Sequence, residues 1–197
     1  LVLAGSTVKL LRRELGMYGY ATEGLWIHSV TTACIARFLA VNWLQLDEIE
    51  AEEVFVAGLL HDIGKRDIPL ETLAKVSQFT EGDMKVMRAH PMTGFNRLME
   101  AGYQFSAWLA VSHHRYQENP YPEVLPGIPI AFNDATRVKL GLYSRIVAIA
   151  DFNDALRRRN DKYGKAVIDR DEARRIMRAE NEDQLQLIDD LYDHGVL

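Results

Sequence analysis

Only one cysteine, Cys34, occurs in the chain. That excludes an internal disulfide and suits a reducing compartment, so a cytoplasmic setting is the expectation. A basic excess is also missing. Lys and Arg number 23 against 28 Asp and Glu, a net charge of −5, and polymeric nucleic acid, which needs a broad basic face, is not an expected partner. No apolar run approaches the roughly 20 residues that span a bilayer. The opening stretch Leu1-Val2-Leu3-Ala4-Gly5 is too short for a signal-peptide core, so no membrane insertion is expected. Proline is scarce outside one stretch: four of the six prolines (Pro120, Pro122, Pro126 and Pro129) fall between Gln117 and Asp134. Together with Asn119, Gly127 and Asn133 they mark an irregular loop of functional length. Internal repeats and low-complexity segments are absent.

What remains is an ordinary globular composition, 48% hydrophobic and 26% charged over 197 residues, enough for one domain with a sizeable core. The apolar spacing predicts helix over 25–44, where Leu25, Val30, Ile35, Phe38, Leu39 and Leu44 recur at three- and four-residue intervals. A second helix is expected from Asp47 to Leu60, with acidic residues in its first turn facing the positive end of the dipole. Thr80 and Asp83 form an approximate capping box for a third. Pro91 marks a break or a fresh start after His90. Helix is also expected over 94–101, 105–114, from about Val138 to Arg159, and in two closing segments, 171–178 and 183–192. The fold class is all-α, a helical bundle over residues 21–197, with residues 1–20 as an N-terminal linker helix or domain edge. Trp26, Trp43 and Trp108 are read as core.

His61 and Asp62 stand side by side at the end of the apolar run from Val54 to Leu60. A carboxylate and an imidazole in such a setting are costly unless compensated, and a divalent metal compensates both. The chain supplies further ligands in His28, His90, His113, His114 and Asp151, so that only His194 of the six histidines is left out. His28, His61, Asp62 and Asp151 suffice for one metal, and Asp62, His90, His113 and His114 for a second, with Asp62 bridging. Two such ions generate a nucleophile from water at neutral pH and stabilise charge on phosphoryl oxygens. Lys65, one turn beyond Asp62, is placed to meet a substrate phosphate. His113 and His114 point about 100° apart on a helix, so both reach one metal only if the helix ends there. Asp154, one turn after Asp151, is either behind the ligands or facing solvent.

The ordered set of His28, His61-Asp62, His90, His113-His114 and Asp151 resembles the HD superfamily of metal-dependent phosphohydrolases. Its HD-GYP branch is the nearer match, and characterised members of that branch hydrolyse cyclic di-GMP. The flanking residues carry the likeness further: Ile63-Gly64-Lys65 followed by Ile68-Pro69, Phe79-Thr80-Glu81 leading to Met87 and His90-Pro91, then Gly94, and Ile146 to Leu156. The resemblance implies an HD-domain bundle with a buried dinuclear site holding iron or manganese. Where the branch binds a third metal it carries a Glu one turn before the first His; Gly24 stands there, so two metals are expected. The branch loop H-H-E-x-x-D-G-x-G-Y-P is altered: the segment from His113 to Pro122 is one residue shorter, and Pro120 replaces the last glycine. Arg115 and Tyr121 in this loop join Lys65 as expected substrate contacts, and residues 132–140 read as an insertion. The implied activity is hydrolysis of a cyclic dinucleotide, cyclic di-GMP first. An upstream regulatory domain and a homodimer are compatible with it. Two alternatives stay open: an HD-type phosphohydrolase for another nucleotide, and a catalytically weak domain that senses a nucleotide or docks a partner.

Overall fold

A helical hairpin sets the geometry of the molecule. Helix α1 (Tyr20–Asn42) turns through a short link, with Gln45 at φ 56, into α2 (Glu48–Leu60). Asp47 caps α2 by accepting the Glu50 amide at 2.9 Å, satisfying a donor that the first turn would leave orphaned. The facing surfaces are small, with Ala33, Ala36 and Ala40 of α1 opposite Ala57 and Gly58 of α2, all buried. At Gly58 an added Cβ would lie 2.9 Å from the Ala33 Cα, so only glycine permits this approach of the two backbones. The hairpin therefore returns the end of α2, where His61 follows, to the level of His28 on α1.

The computed structural model describes residues 20–73, 75, 78–129, 132–157 and 168–196, so residues 1–19 of the expected linker lie outside the described residues. After α2 a 3-10 turn (Ile63–Asp67) and a short helix α3 (Leu70–Leu73) lead to α4 (Glu81–Met87), α5 (His90–Glu100) and α6 (Gln104–Val111). The long helix α7 (Asp134–Arg157) crosses behind α1, α2 and α6. Helix α8 (Arg170–Glu180), a 3-10 turn (Glu182–Gln184) and α9 (Leu185–Asp193) close the chain. No strand occurs among the described residues, and the fold is all-α as expected. Leu39, Leu59, Leu60, Leu109, Ile146 and Ile149 fill the centre, and Met177, Leu187, Ile188 and Tyr192 bring α8 and α9 into the same core.

A second close approach fixes the 3-10 turn. A Cβ on Gly64 would sit 2.0 Å from the His90 carbonyl oxygen and 2.6 Å from the Gly94 amide. That contact presses the residues after Asp62 against the first turn of α5. The capping box at the start of α4 is complete, since Thr80 and Asp83 each accept the other's amide. Helix α5 starts at His90 itself, with Pro91 in its first turn, where the missing N–H costs nothing.

Some expectations need correction. Helix α7 starts at Asp134 rather than near Val138, so most of residues 132–140, read as an insertion, forms the first turns of a helix that a sequence of mixed polarity disguised. Helix α6 stops at Val111, three residues early, and turns carry His113 and His114. Trp108 is buried and Trp26 packs on the core, but Trp43 is 40% exposed at the end of α1, beyond the reach of α2. Gly24–Asn42 of α1 is long and apolar enough to cross a membrane by length and composition, which the search for unbroken apolar runs overlooked. Its inner face, with His28 and the small residues above, is committed to α2 and α7.

Candidate metal centre

Five buried elements deliver seven side chains to one place. Two groups form: His28, His61 and Asp151, and Asp62, His90, His113 and His114. Within each, the nitrogens and oxygens lie within 4.8 Å of one another. All seven residues expected as ligands are therefore brought together, all of them buried. Asp62 faces both groups. Its Oδ2 is 3.4 Å from His28 Nε2 and 3.5 Å from His61 Nε2, while its Oδ1 is 3.2 Å from His90 Nε2 and 3.8 Å from His113 Nε2. Asp151 Oδ1 completes the first group, 3.0 Å from His28 Nε2 and 3.6 Å from His61 Nε2.

The ring orientations are set from behind. His61 Nδ1 donates to the Gly58 carbonyl at 2.7 Å, His90 Nδ1 to the Met87 carbonyl at 2.7 Å, and His113 Nδ1 to the Ala110 carbonyl. Each contact spans three residues, so the local turn alone aims the ring. His28 Nδ1 meets the Asp154 carboxylate at 2.6 Å, which places Asp154 behind the ligands rather than at solvent. Carbonyls and carboxylates only accept, so in each neutral ring the proton sits on Nδ1 and the lone pair on Nε2. These Nε2 atoms nevertheless face one another, His28 to His61 at 3.2 Å and His90 to His113 at 3.3 Å. Asp62 Oδ1 is buried with no hydrogen-bond partner. Lone pairs converging on an orphaned carboxylate oxygen call for a cation, and the all-N,O donor set fits divalent metal ions.

The electrostatics agree. Burial pushes His90 down, His113 well down and His114 to about 3, so these rings are neutral with a lone pair to give. Burial raises the carboxyls of Asp62 and Asp151, but the surrounding histidines, with Lys65 foremost at Asp62, outweigh it and hold both well below the usual carboxylate range. At His28 burial opposes the charge, yet Asp151, Asp154 and Asp62 push it up to about 10. A metal at Nε2 must displace that proton.

Around the centre, Lys65 Nζ donates to Asp62 Oδ2 at 2.5 Å and is partly exposed. His113 and His114 lie with ring centroids 3.9 Å apart, because α6 has ended before them. His114 Nδ1 is 2.7 Å from the Gln117 side-chain amide. As placed, the amide Nε2 of Gln117 donates to that ring nitrogen; with the amide flipped so that its oxygen accepts from Nδ1–H instead, His114 Nε2 is left for a metal. Tyr121 stacks on His114 at 4.3 Å between ring centroids. Arg115 points elsewhere: its guanidinium donates to the Pro122 carbonyl at 2.7 Å and the Glu123 carbonyl at 3.0 Å, tying the loop to itself. The sequence reading missed Gln117 altogether and missed the cleft beside Tyr121, whose other wall is α4 with Lys85 and Arg88. Two cations three residues apart just ahead of His90 were the available signal.

Residues 25–156 match the HD domain family, and the chain belongs to that family. Over 122 residues it is 38% identical to the cyclic di-GMP phosphodiesterase response regulator RpfG of Xanthomonas campestris, covering 60% of this chain and 30% of the relative. It is 35% identical over 130 residues to a cyclic di-GMP phosphodiesterase of Thermotoga maritima, covering 59% and 32%. It is 30% identical over 131 residues to the 3'3'-cGAMP-specific phosphodiesterase 1 of Vibrio cholerae, covering 66% and 28%. These relatives bear out the resemblance to the HD-GYP branch. The chain spans about a third of their length.

Proposed function

We propose that this chain is a metal-dependent phosphodiesterase that opens a cyclic dinucleotide, with cyclic di-GMP as the first substrate and two iron or manganese ions as cofactors. The observation that carries the reading is Asp62, whose two oxygens face two separate histidine groups. His28, His61, Asp62 and Asp151 would hold one ion, and Asp62, His90, His113 and His114 the other. When bound, the metals supply an activated water and Lewis acidity toward the phosphoryl oxygens.

The chain's own groups do the rest. The backbone carbonyls behind His61, His90 and His113, and Asp154 behind His28, keep the lone pairs pointed inward. The Lys65 ammonium, next to Asp62, offers positive charge to the phosphate being cut. Tyr121 covers one side of the site, with Lys65 as the remaining substrate contact of this reading. Cleavage of one phosphodiester of the ring releases a linear dinucleotide first. The single cysteine suits a cytoplasmic setting, and an upstream regulatory domain and a second copy of the chain are compatible with this reading.

The test is anaerobic incubation of iron- or manganese-loaded protein with cyclic di-GMP, followed by chromatography, beside an Asp62→Ala control. Linear dinucleotide or GMP that disappears in the control is the expected result. Fully metallated protein without product overturns the activity. The remodelled loop and the cGAMP-specific relatives favour a second reading, in which another cyclic dinucleotide is preferred; a panel with 3'3'-cGAMP separates the two.

A further inference from the structure

Beside the metal centre, α4 and the loop from Pro120 to Glu123 enclose a cleft of about 690 Å³, within the roughly 300–1,000 Å³ range of small-molecule sites. Tyr121 is the partition. Its ring centroid is 4.3 Å from that of His114 and 6.1 Å from that of His90. The Arg88 guanidinium stands 5.7 Å from the same ring. Lys85 precedes Arg88 by three residues, on the same face of the chain, and also borders the cleft. Both are exposed. Glu81 and Glu123 border the cleft too, but among the described residues no carboxylate pairs with Arg88 or Lys85. In a chain of net charge −5, two cations without a carboxylate partner beside a candidate reaction centre call for an anion.

We propose that Arg88 and Lys85 hold the second phosphate of the cyclic dinucleotide, the one that is not cut. The inference rests on the substrate proposed above. A cyclic dinucleotide carries two phosphodiesters on one ring. The cleft bordered by Arg88 and Lys85 is not lined by Asp62 or Lys65, so the two pairs of residues would serve separate phosphates. Arg88 supplies a planar fork suited to two phosphate oxygens, and Lys85 a point charge. Mononucleotides, with no second phosphate in this position, lose these contacts, so the pair selects for a dinucleotide.

The experiment uses metal-loaded protein carrying Arg88→Gln, Lys85→Gln, both together, and Arg88→Lys. KM for cyclic di-GMP and Kd for a fluorescent cyclic di-GMP are measured on each. In the double variant both constants rise about tenfold or more, as expected for the loss of charge-assisted bonds, with a smaller change in kcat; Arg88→Lys recovers part of the loss. Values within twofold of the parent overturn the proposal. So does a matching fall in kcat that Arg88→Lys does not restore, which marks a structural role. A loss seen with cyclic di-GMP but not with cyclic di-AMP also overturns it, because the two share their phosphates and differ in base. Arg88-dependent binding without turnover supports this inference while overturning the phosphodiesterase. A parent protein that neither binds nor cleaves overturns both.

Discussion

The metal cradle and the rim of the cleft touch through one tyrosine ring, yet they are built differently. His61 and His113, with Asp62 and His90, are 1% exposed or less, and each of the three rings is aimed by a carbonyl three residues back. Lys85, Arg88 and the segment from Gln117 to Pro120 are exposed, and Arg115 holds the loop through backbone carbonyls that any side chains could accompany. In the cradle, a change of one atom meets backbone. At the rim it meets water. The cradle can thus keep a family's geometry while the rim departs from the family's loop, as the replacement of the last loop glycine by Pro120 illustrates.

The comparison can be broken most severely at its centre. Asp62→Ala removes the carboxylate whose two oxygens face the two histidine sets, and metal content by elemental analysis and turnover should fall together to background; full metal content with undiminished turnover would sink the assignment. Next is Gly64→Ala, whose new Cβ would clash with the His90 carbonyl. Overpacking of this kind costs about 1–3 kcal/mol, or roughly 2–4 °C of Tm per kcal/mol in a chain of this size. A melting curve checks it, and a Tm unchanged by this substitution would show that the contact yields easily. Asp154→Asn weakens the hold on His28, and metal affinity should drop about 10–100-fold while the melting curve of the metal-free protein barely moves. Equal affinity in competition with a chelator would count against Asp154 as a positioning group. Arg115→Ala is the mildest. It frees the loop carbonyls, and a net loss of about 1 kcal/mol should appear as a several-fold rise in KM without loss of metal. Loss of metal there would mean that the rim and the cradle are not separable.

Much of the cradle was legible in the chain. The order of the histidines and aspartates, the His61-Asp62 pair after an apolar run, and the spacing from Thr80 to Pro91 all pointed to the residues that converge. They were readable because ligands must be of a few chemical types and because helix periodicity is local. The rim was legible only in part. Tyr121 does lie over the centre, whereas Arg115 was expected at substrate and instead binds its own loop. No local pattern says which way a guanidinium on an irregular loop will turn. The N-terminal turns of α7 were misread for a related reason: Asp134 to Lys139 are polar and mostly exposed, so they carry little of the apolar spacing that announces a helix.

By itself the sequence determined the all-α class and the set of seven converging side chains, because each depends on residue type and short-range geometry. The tertiary structure alone decided that Asp62 divides its oxygens between two groups, that Asp154 stands behind His28 across 126 positions of chain, and that Arg88 comes to the ring of Tyr121. Those relations join segments far apart in sequence, and only the packing of α1 on α2, of Gly64 on α5, and of the loop against α4 brings them within bonding distance.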